Sequence, residues 1–183
     1  EKRLAGTEGA TASFFSFDGG SLGFFANAKL LAISLAGGQP YEVADAANGR
    51  GGAWAPDGTI VFAPDFRSGL FRVPAAGGKP LPLTQIDSAR HSTHRWPVLT
   101  PDGRAFVYLA TNHAVDKEPE SELRWARLDG GDDHALVPSV ANGAVAGGEL
   151  LYLRKQELLA RLQDEGLAGG GDLDHQFAGQ RLQ

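Results

Sequence analysis

Three Asp-Gly pairs, beginning at residues 18, 57 and 102, constrain this chain more than any other feature. Each sits in a four-residue phrase: Ser16-Phe17-Asp18-Gly19, Ala55-Pro56-Asp57-Gly58 and Thr100-Pro101-Asp102-Gly103. Glycine supplies the positive φ that a tight turn needs, and an aspartate can hydrogen-bond its own backbone two residues on. A short apolar run follows each pair: Leu22-Gly23-Phe24-Phe25, Thr59-Ile60-Val61-Phe62 and Ala105-Phe106-Val107-Tyr108-Leu109. A second run comes next (Leu30-Leu31-Ala32-Ile33, Leu70-Phe71-Arg72-Val73, Leu123-Arg124-Trp125-Ala126), then a glycine pair (37-38, 77-78, 130-131), then a closing run. Runs of this length, bounded by Gly, Pro, Asp and Ser, read as strands. The unit is a four-stranded antiparallel meander, best preserved over residues 48–86, and it recurs at spacings of 39 and 45 residues.

Four strands per period of about 40–45 residues is the pattern of β-propeller blades. A fourth, degraded copy starts at Asn142, with Gly147-Gly148 in place of Asp-Gly and runs at Leu150-Leu151-Tyr152-Leu153 and Leu158-Leu159-Ala160-Arg161. Helix propensity alone would allow a helical turn over 158–163; the repeat register predicts a strand. The expected fold is therefore all-β, one partial propeller domain over 1–183 with about four blades at 11–47, 48–88, 94–140 and 141–183. A simple antiparallel sandwich is the competing architecture. Blades bury both faces against their neighbours, so Phe14, Phe17, Phe24, Trp54, Val61, Leu70, Val73, Trp96, Phe106, Tyr108, Trp125, Leu151 and Leu153 are expected between blades.

Composition narrows the function classes. The net charge is −5 with both signs interspersed, which argues against the clustered Lys/Arg of a nucleic-acid or anionic-membrane surface. There is no cysteine, so disulfides and thiolate chemistry are excluded. No apolar run approaches the length of a membrane span. The chain has no methionine, and residues 1–7 read as the tail of a preceding blade, so a piece of a longer or processed protein is expected.

Local motifs point to scaffold rather than catalysis. Gly19-Gly20-Ser21-Leu22-Gly23 matches the Gly-x-Ser-x-Gly pattern, but a nucleophile elbow needs a strand before it and a helix after it, and here a hairpin turn feeds a strand. Gly77-Gly78-Lys79-Pro80 lacks the spacing and the Ser/Thr of a phosphate loop. His91 and His94, with Asp87 nearby, could share a metal; the plainer expectation is bonding to backbone. Asp129, Asp132 and Asp133, and likewise Asp172, Asp174 and His175, read as solvated acidic turns rather than calcium loops. Residues 111–122 form a polar insertion containing Asn112, His113, Asp116, Lys117, Glu118, Pro119 and Glu120, and 166–172 a glycine-rich loop.

The phrases Asn48-Gly49-Arg50-Gly51-Gly52-Ala53-Trp54-Ala55-Pro56-Asp57-Gly58-Thr59-Ile60-Val61-Phe62-Ala63-Pro64, Gly69-Leu70-Phe71-Arg72-Val73-Pro74-Ala75-Ala76-Gly77-Gly78 and His94-Arg95-Trp96-Pro97 resemble the TolB-like six-bladed propeller repeats. They are similar in particular to those following a transmembrane segment in acidobacterial-type receptor serine/threonine kinases. No His-Arg-Asp or Asp-Phe-Gly kinase motif is present in this sequence. The resemblance implies a periplasmic or extracytoplasmic sensor module, without cofactor or catalytic residues, that recognises a protein, peptide or small ligand. The alternatives are an accessory propeller gating a prolyl-oligopeptidase-type serine peptidase, or a purely structural platform. Six blades exceed what this sequence holds, so open blade edges could pair two copies. Loops leading into the blades are the expected binding surface, with Arg50, His91, His94 and Arg95 as candidates; each could instead make a structural hydrogen bond between blades.

Overall fold

The structure is a computed structural model that describes residues 3–112, 121–154 and 157–162. Among these residues there are strands and turns and no α-helix, so no helix long and apolar enough to cross a membrane occurs. The first sheet holds β1 (Thr11–Phe15), β2 (Ser21–Ala26), β3 (Lys29–Ser34) and β4 (Tyr41–Asp45) in sequential order. The second holds β5 (Gly52–Trp54), β6 (Thr59–Phe62), β7 (Phe71–Pro74) and β8 (Leu81–Pro82). The third holds β9 (Thr93–Leu99), β10 (Ala105–Thr111), β11 (Glu122–Arg127) and β12 (Asp133–Pro138). The fourth holds β13 (Ala144–Ala146), β14 (Glu149–Arg154) and β15 (Glu157–Leu162). All strand pairings within the sheets are antiparallel, and the repeat register was right to make 157–162 a strand.

The recurring Asp-Gly phrase builds the same turn three times. Gly19, Gly58 and Gly103 have φ of 71°, 83° and 66°, and their N–H groups donate to the carbonyls of Ser16, Ala55 and Thr100. Asp18, Asp57 and Asp102 each accept the N–H two residues on, at 2.9, 2.9 and 3.1 Å. In the first and third copies a hydroxyl joins, Ser16 and Thr100 donating to the aspartate at 2.6 Å. Those hydroxyls, then the backbone N–H groups, hold the Asp18 and Asp102 carboxyls below the usual range. In the fourth blade Gly147 and Gly148 make a two-residue hairpin with φ of 60° and 81°, which explains why the motif changes there.

A second repeated device was not read from the sequence. Ala12, Gly51 and Trp96 each stand seven residues before the turn glycine of their blade, and each has positive φ, 46°, 92° and 52°. The ladders of β1 and β9 shift register around Ala12 and Trp96. The first strand of each of the first three blades therefore kinks at or next to this position.

The first strands β1, β5, β9 and β13 lie beside one another, which places them innermost. Side-chain alternation then divides each blade between two neighbours. Ile60 and Phe62 pack with Phe25, Leu30 and Val43 of the first blade, whereas Val61 and Ala63 pack with Phe106, Tyr108 and Ala126 of the third. Val107, Leu109, Leu123 and Trp125 face Leu150 and Tyr152 of the fourth. The Phe14 ring fills the space between two glycines. A Cβ on Gly23 would fall 2.4 Å from it, and one on Gly52, in the next blade, 2.5 Å.

Three of the expected inter-blade residues are instead exposed: Phe17 (49%), Trp96 (36%) and Leu153 (41%). Phe17 stands at the tip of its turn, Leu153 lies on the face of β14 turned away from the third blade, and the kink at Trp96 redirects its indole. Leu151 is half-buried on the same outer face as Leu153. The calls at 113–120, 166–172 and Asp172, Asp174 and His175 lie outside the described residues.

Candidate binding site at the lead-in end of the blades

The sequence candidates converge at one end of the array, where β5 and β9 begin. His94 and Arg95 belong to β9 itself rather than to a loop, and His91 closes a turn in which Asp87 accepts the Ala89 N–H. Asp87 is thus engaged with backbone. Among the described residues no three His, Asp or Glu side chains converge as metal ligands.

His94 is buried and links two blades. Its Nδ1 lies 2.8 Å from Thr84 Oγ1, which accepts the Leu70 N–H at 2.8 Å, and the His94 backbone N–H donates to the Ser68 carbonyl at 2.9 Å. Its ring packs on Tyr108, with centroids 4.8 Å apart. The structural hydrogen bond between blades is thus the role that geometry gives His94. Burial, reinforced by His91 and Arg124, lowers its pKa from 6.5 to about 3, so it stays neutral.

A consequence for pH follows. Between pH 6.5 and about 3 the unfolded chain carries a proton on this histidine that the native chain does not, so stability falls as pH drops. The loss is about 1.4 kcal/mol per pH unit, or roughly 2 kcal/mol at pH 5. Urea unfolding at pH 7 and pH 5 should show this slope reduced by that amount in His94→Gln. An unchanged slope would contradict a neutral native His94.

Behind His94 lies a charged layer that the sequence reading missed. Arg124 donates to Glu122 Oε1 at 2.6 Å and to Asp133 Oδ1 at 2.8 Å, while Tyr108 donates to Asp133 Oδ2 at 2.7 Å. Arg90 donates to Glu122 Oε2 at 2.9 Å, and His91 Nε2 is 3.9 Å from Glu122 Oε1. Burial pushes Glu122 up, but Arg124 and Arg90 outweigh it and hold the carboxylate below its usual range. Burial and Asp133 push the Tyr108 phenol up. Asp133, expected in a solvated turn, begins β12 and is the anchor of Arg124; Asp129 does occupy such a turn, held to about 2 by Arg127 and the Gly131 N–H.

In front of His94 stand Arg95, Trp96 and Arg50. Arg95 is largely buried, with its guanidinium 5.2 Å from the Trp96 ring centroid. The Trp96 backbone N–H donates to the Arg50 carbonyl at 2.8 Å. Arg50 is flanked by glycines with no room for a side chain: a Cβ on Gly49 would fall 2.0 Å from Phe25, and one on Gly51 3.0 Å from Trp96. Arg50 is half-buried, donates to the Gly49 carbonyl at 3.4 Å, and makes no ion pair among the described residues. Burial and then the Arg50 charge lower the Arg95 pKa. Arg50 also lines a cavity of about 200 Å³ with Thr11, Phe25, Asn27 and Asn48, between the first blade and its link to the second. The Ser21 hydroxyl pattern resolves as a hairpin: Ser21 opens β2 and donates its N–H to Ser16 Oγ at 2.9 Å.

No protein-family profile matches this sequence, and no curated protein matches it. Solved structures do. A protein assigned as TolB from Agrobacterium tumefaciens is 20% identical with TM-score 0.65, covering 82% of this chain and 56% of its own. A puromycin hydrolase is 25% identical with TM-score 0.53, covering 78% and 27%. A prolyl endopeptidase is 14% identical with TM-score 0.51, covering 84% and 29%. This chain thus spans little more than half of the TolB structure and under a third of the two hydrolases. With sequential antiparallel blades, three of four strands and one of three among the described residues, around a common set of inner strands, the chain has the fold of the TolB-like β-propellers.

Proposed function

We propose that this chain is a non-enzymatic recognition module that binds a protein, peptide or small ligand at the lead-in end of its blades. The observation that carries this reading is the contrast between the two sides of His94. Behind it, Glu122, Arg124, Tyr108 and Asp133 neutralise one another and fix the strands. In front of it, the Arg50 backbone is fixed between its flanking glycines and its side chain lines an open cavity, with no ion pair among the described residues, and Trp96 is exposed. Binding groups carried by loops and strand ends on a rigid scaffold are a general arrangement. Placement outside the cytoplasm, as the sensor region of a larger bacterial envelope protein such as a receptor kinase, belongs to this proposal and rests on the TolB-like repeats.

A second reading has a specific observation in its favour: the likeness in fold to the puromycin hydrolase and prolyl endopeptidase. In it the chain is an accessory propeller, and the nucleophile belongs to a separate catalytic domain. A thermal-shift screen with short peptides and small ligands, followed by mass analysis of each stabilising compound, tests the recognition reading. A recognition module is stabilised and returns its ligand intact. Stabilisation by none of the peptides or ligands, or conversion of a bound peptide by this chain, would overturn the proposal.

A further inference from the structure

We propose that Arg50, Arg95 and Trp96 form a receptor for a carboxylate group of a peptide ligand, the carboxylate engaging Arg50 and the adjoining part of the peptide lying on the Trp96 indole. This deepens the recognition reading and rests on it.

Four observations converge. First, Arg50 is pinned from both sides by Gly49 over Phe25 and Gly51 against Trp96, so its position is set by three blades. A long flexible side chain whose backbone is fixed this tightly loses less freedom on binding. Second, among the described residues Arg50 has no carboxylate partner, in a chain whose net charge is −5 and in which the partly buried Arg124 has two. Third, the Arg50 charge bears on Arg95, whose guanidinium lies 5.2 Å from the Trp96 ring centroid, so the two cations and the indole share one locality. Fourth, Trp96 is strained. It has φ of 52°, and it precedes Pro97, which disfavours helical and turn-like backbone in the residue before it. The corresponding residues of the first two blades are Ala12 and Gly51, so the kink itself does not call for an indole. A bulky side chain kept at a strained, exposed position is a mark of a site where the side chain is used.

The chemistry of the three groups selects the ligand. A guanidinium presents a planar fork that matches the two oxygens of a carboxylate. Arg95 is stacked on Trp96 and largely buried, which leaves one guanidinium, that of Arg50, to offer a full fork. One fork suits a singly charged, two-oxygen anion. The indole beside it favours a ligand with apolar or amide surface next to its charge over a bare ion. A carboxylate reaches such a site from two sources, the peptide C-terminus or a Glu/Asp side chain.

Tryptophan fluorescence of the whole chain reads the site directly, because Trp54 and Trp125 are buried and Trp96 is exposed. Three acetylated tetrapeptides serve as probes: Ala-Ala-Leu-Ala with a free C-terminus, the same sequence amidated, and Ala-Glu-Leu-Ala amidated. The expected result is a saturable emission change with the first or the third and at least about tenfold weaker binding of the second. The stronger of the two acids identifies the carboxylate source. Arg50→Gln should lose the same factor with an unchanged melting temperature, since among the described residues its side chain makes no ion pair and its hydrogen bond is a long one, 3.4 Å, to the Gly49 carbonyl. Trp96→Gly, which suits the positive φ, should keep the fold and weaken binding when followed by calorimetry. Equal response to acid and amidated neutral peptide, no saturable change, or undiminished binding by Arg50→Gln would overturn the assignment. So would inorganic phosphate competing as strongly as the peptide, which would make the pair a general anion site. If other ligands stabilise the chain in the screen while these probes fail, the carboxylate receptor falls and the recognition module stands.

Discussion

Replacing Arg124 by leucine should cost about 3–5 kcal/mol, the range seen when one partner of a buried ion pair is removed. The guanidinium bonds Glu122, Asp133 and the Tyr108 oxygen at once, at 2.6, 2.8 and 3.1 Å. Leucine fills much of the volume but leaves the buried Glu122 carboxylate to Arg90 and the more distant His91, and the Tyr108–Asp133 pair without its cation. The cost is therefore uncompensated charge rather than lost packing. That separation can be measured: Arg124→Leu combined with Glu122→Leu should recover most of the loss, because apolar replacement of both partners is close to neutral. Urea unfolding of the two variants decides it. A single-variant loss below about 1 kcal/mol would mean that water reaches and screens the network, as for exposed pairs.

The second large effect is expected at Gly69. A Cβ there would lie 2.4 Å from the carbonyl oxygen of Thr84, which is backbone and cannot swing aside. Thr84 is tied to Leu70 twice, by Leu70 N–H to Oγ1 at 2.8 Å and by Thr84 N–H to the Leu70 carbonyl at 3.2 Å. Relieving the clash means breaking these bonds and moving the group that holds His94. Gly69→Ala should cost about 3 kcal/mol, the upper part of the usual overpacking range. At this chain length that is a fall in melting temperature of roughly 6–12 °C. Gly58→Ala is the control: nothing lies within 4 Å of its Cβ, so only the positive φ is penalised, at about 1–2 kcal/mol. Equal falls for both would show that the Gly69–Thr84 approach is not the cause.

The architecture was legible because it is written in local terms. Asp18-Gly19, Asp57-Gly58 and Asp102-Gly103 need no distant partner to make their turns, and the alternation in Ile60-Val61-Phe62-Ala63 reports burial on two faces directly. What depends on tertiary geometry was read less well. Trp96 looked like core because aromatics in strands usually are, and the positive φ that turns it outward leaves no mark in its own sequence. Asp133 looked like one of three acids in a turn; only the pairing of β11 with β12 brings it to Arg124. A signal for that network existed, since Arg124 interrupts the apolar run Leu123-Arg124-Trp125-Ala126 on the face shared with Tyr108. His91, His94, Arg95 and Arg50 were grouped from the sequence as loop residues leading into blades; the structure puts His94 and Arg95 within β9, and the strut role of His94 needed its partner Thr84 in the neighbouring blade.

The Phe14 ring between Gly23 and Gly52 bears on how the array comes apart. Repeat proteins often behave as chains of weakly coupled units, each able to open while its neighbours stay closed. Here one benzene ring completes the packing of two units at once, against a backbone of its own blade and a backbone of the next. Neither the first nor the second blade is finished without the other. Opening at this seam is therefore shared, and the smallest cooperative block at this end of the protein is a pair of blades, not one.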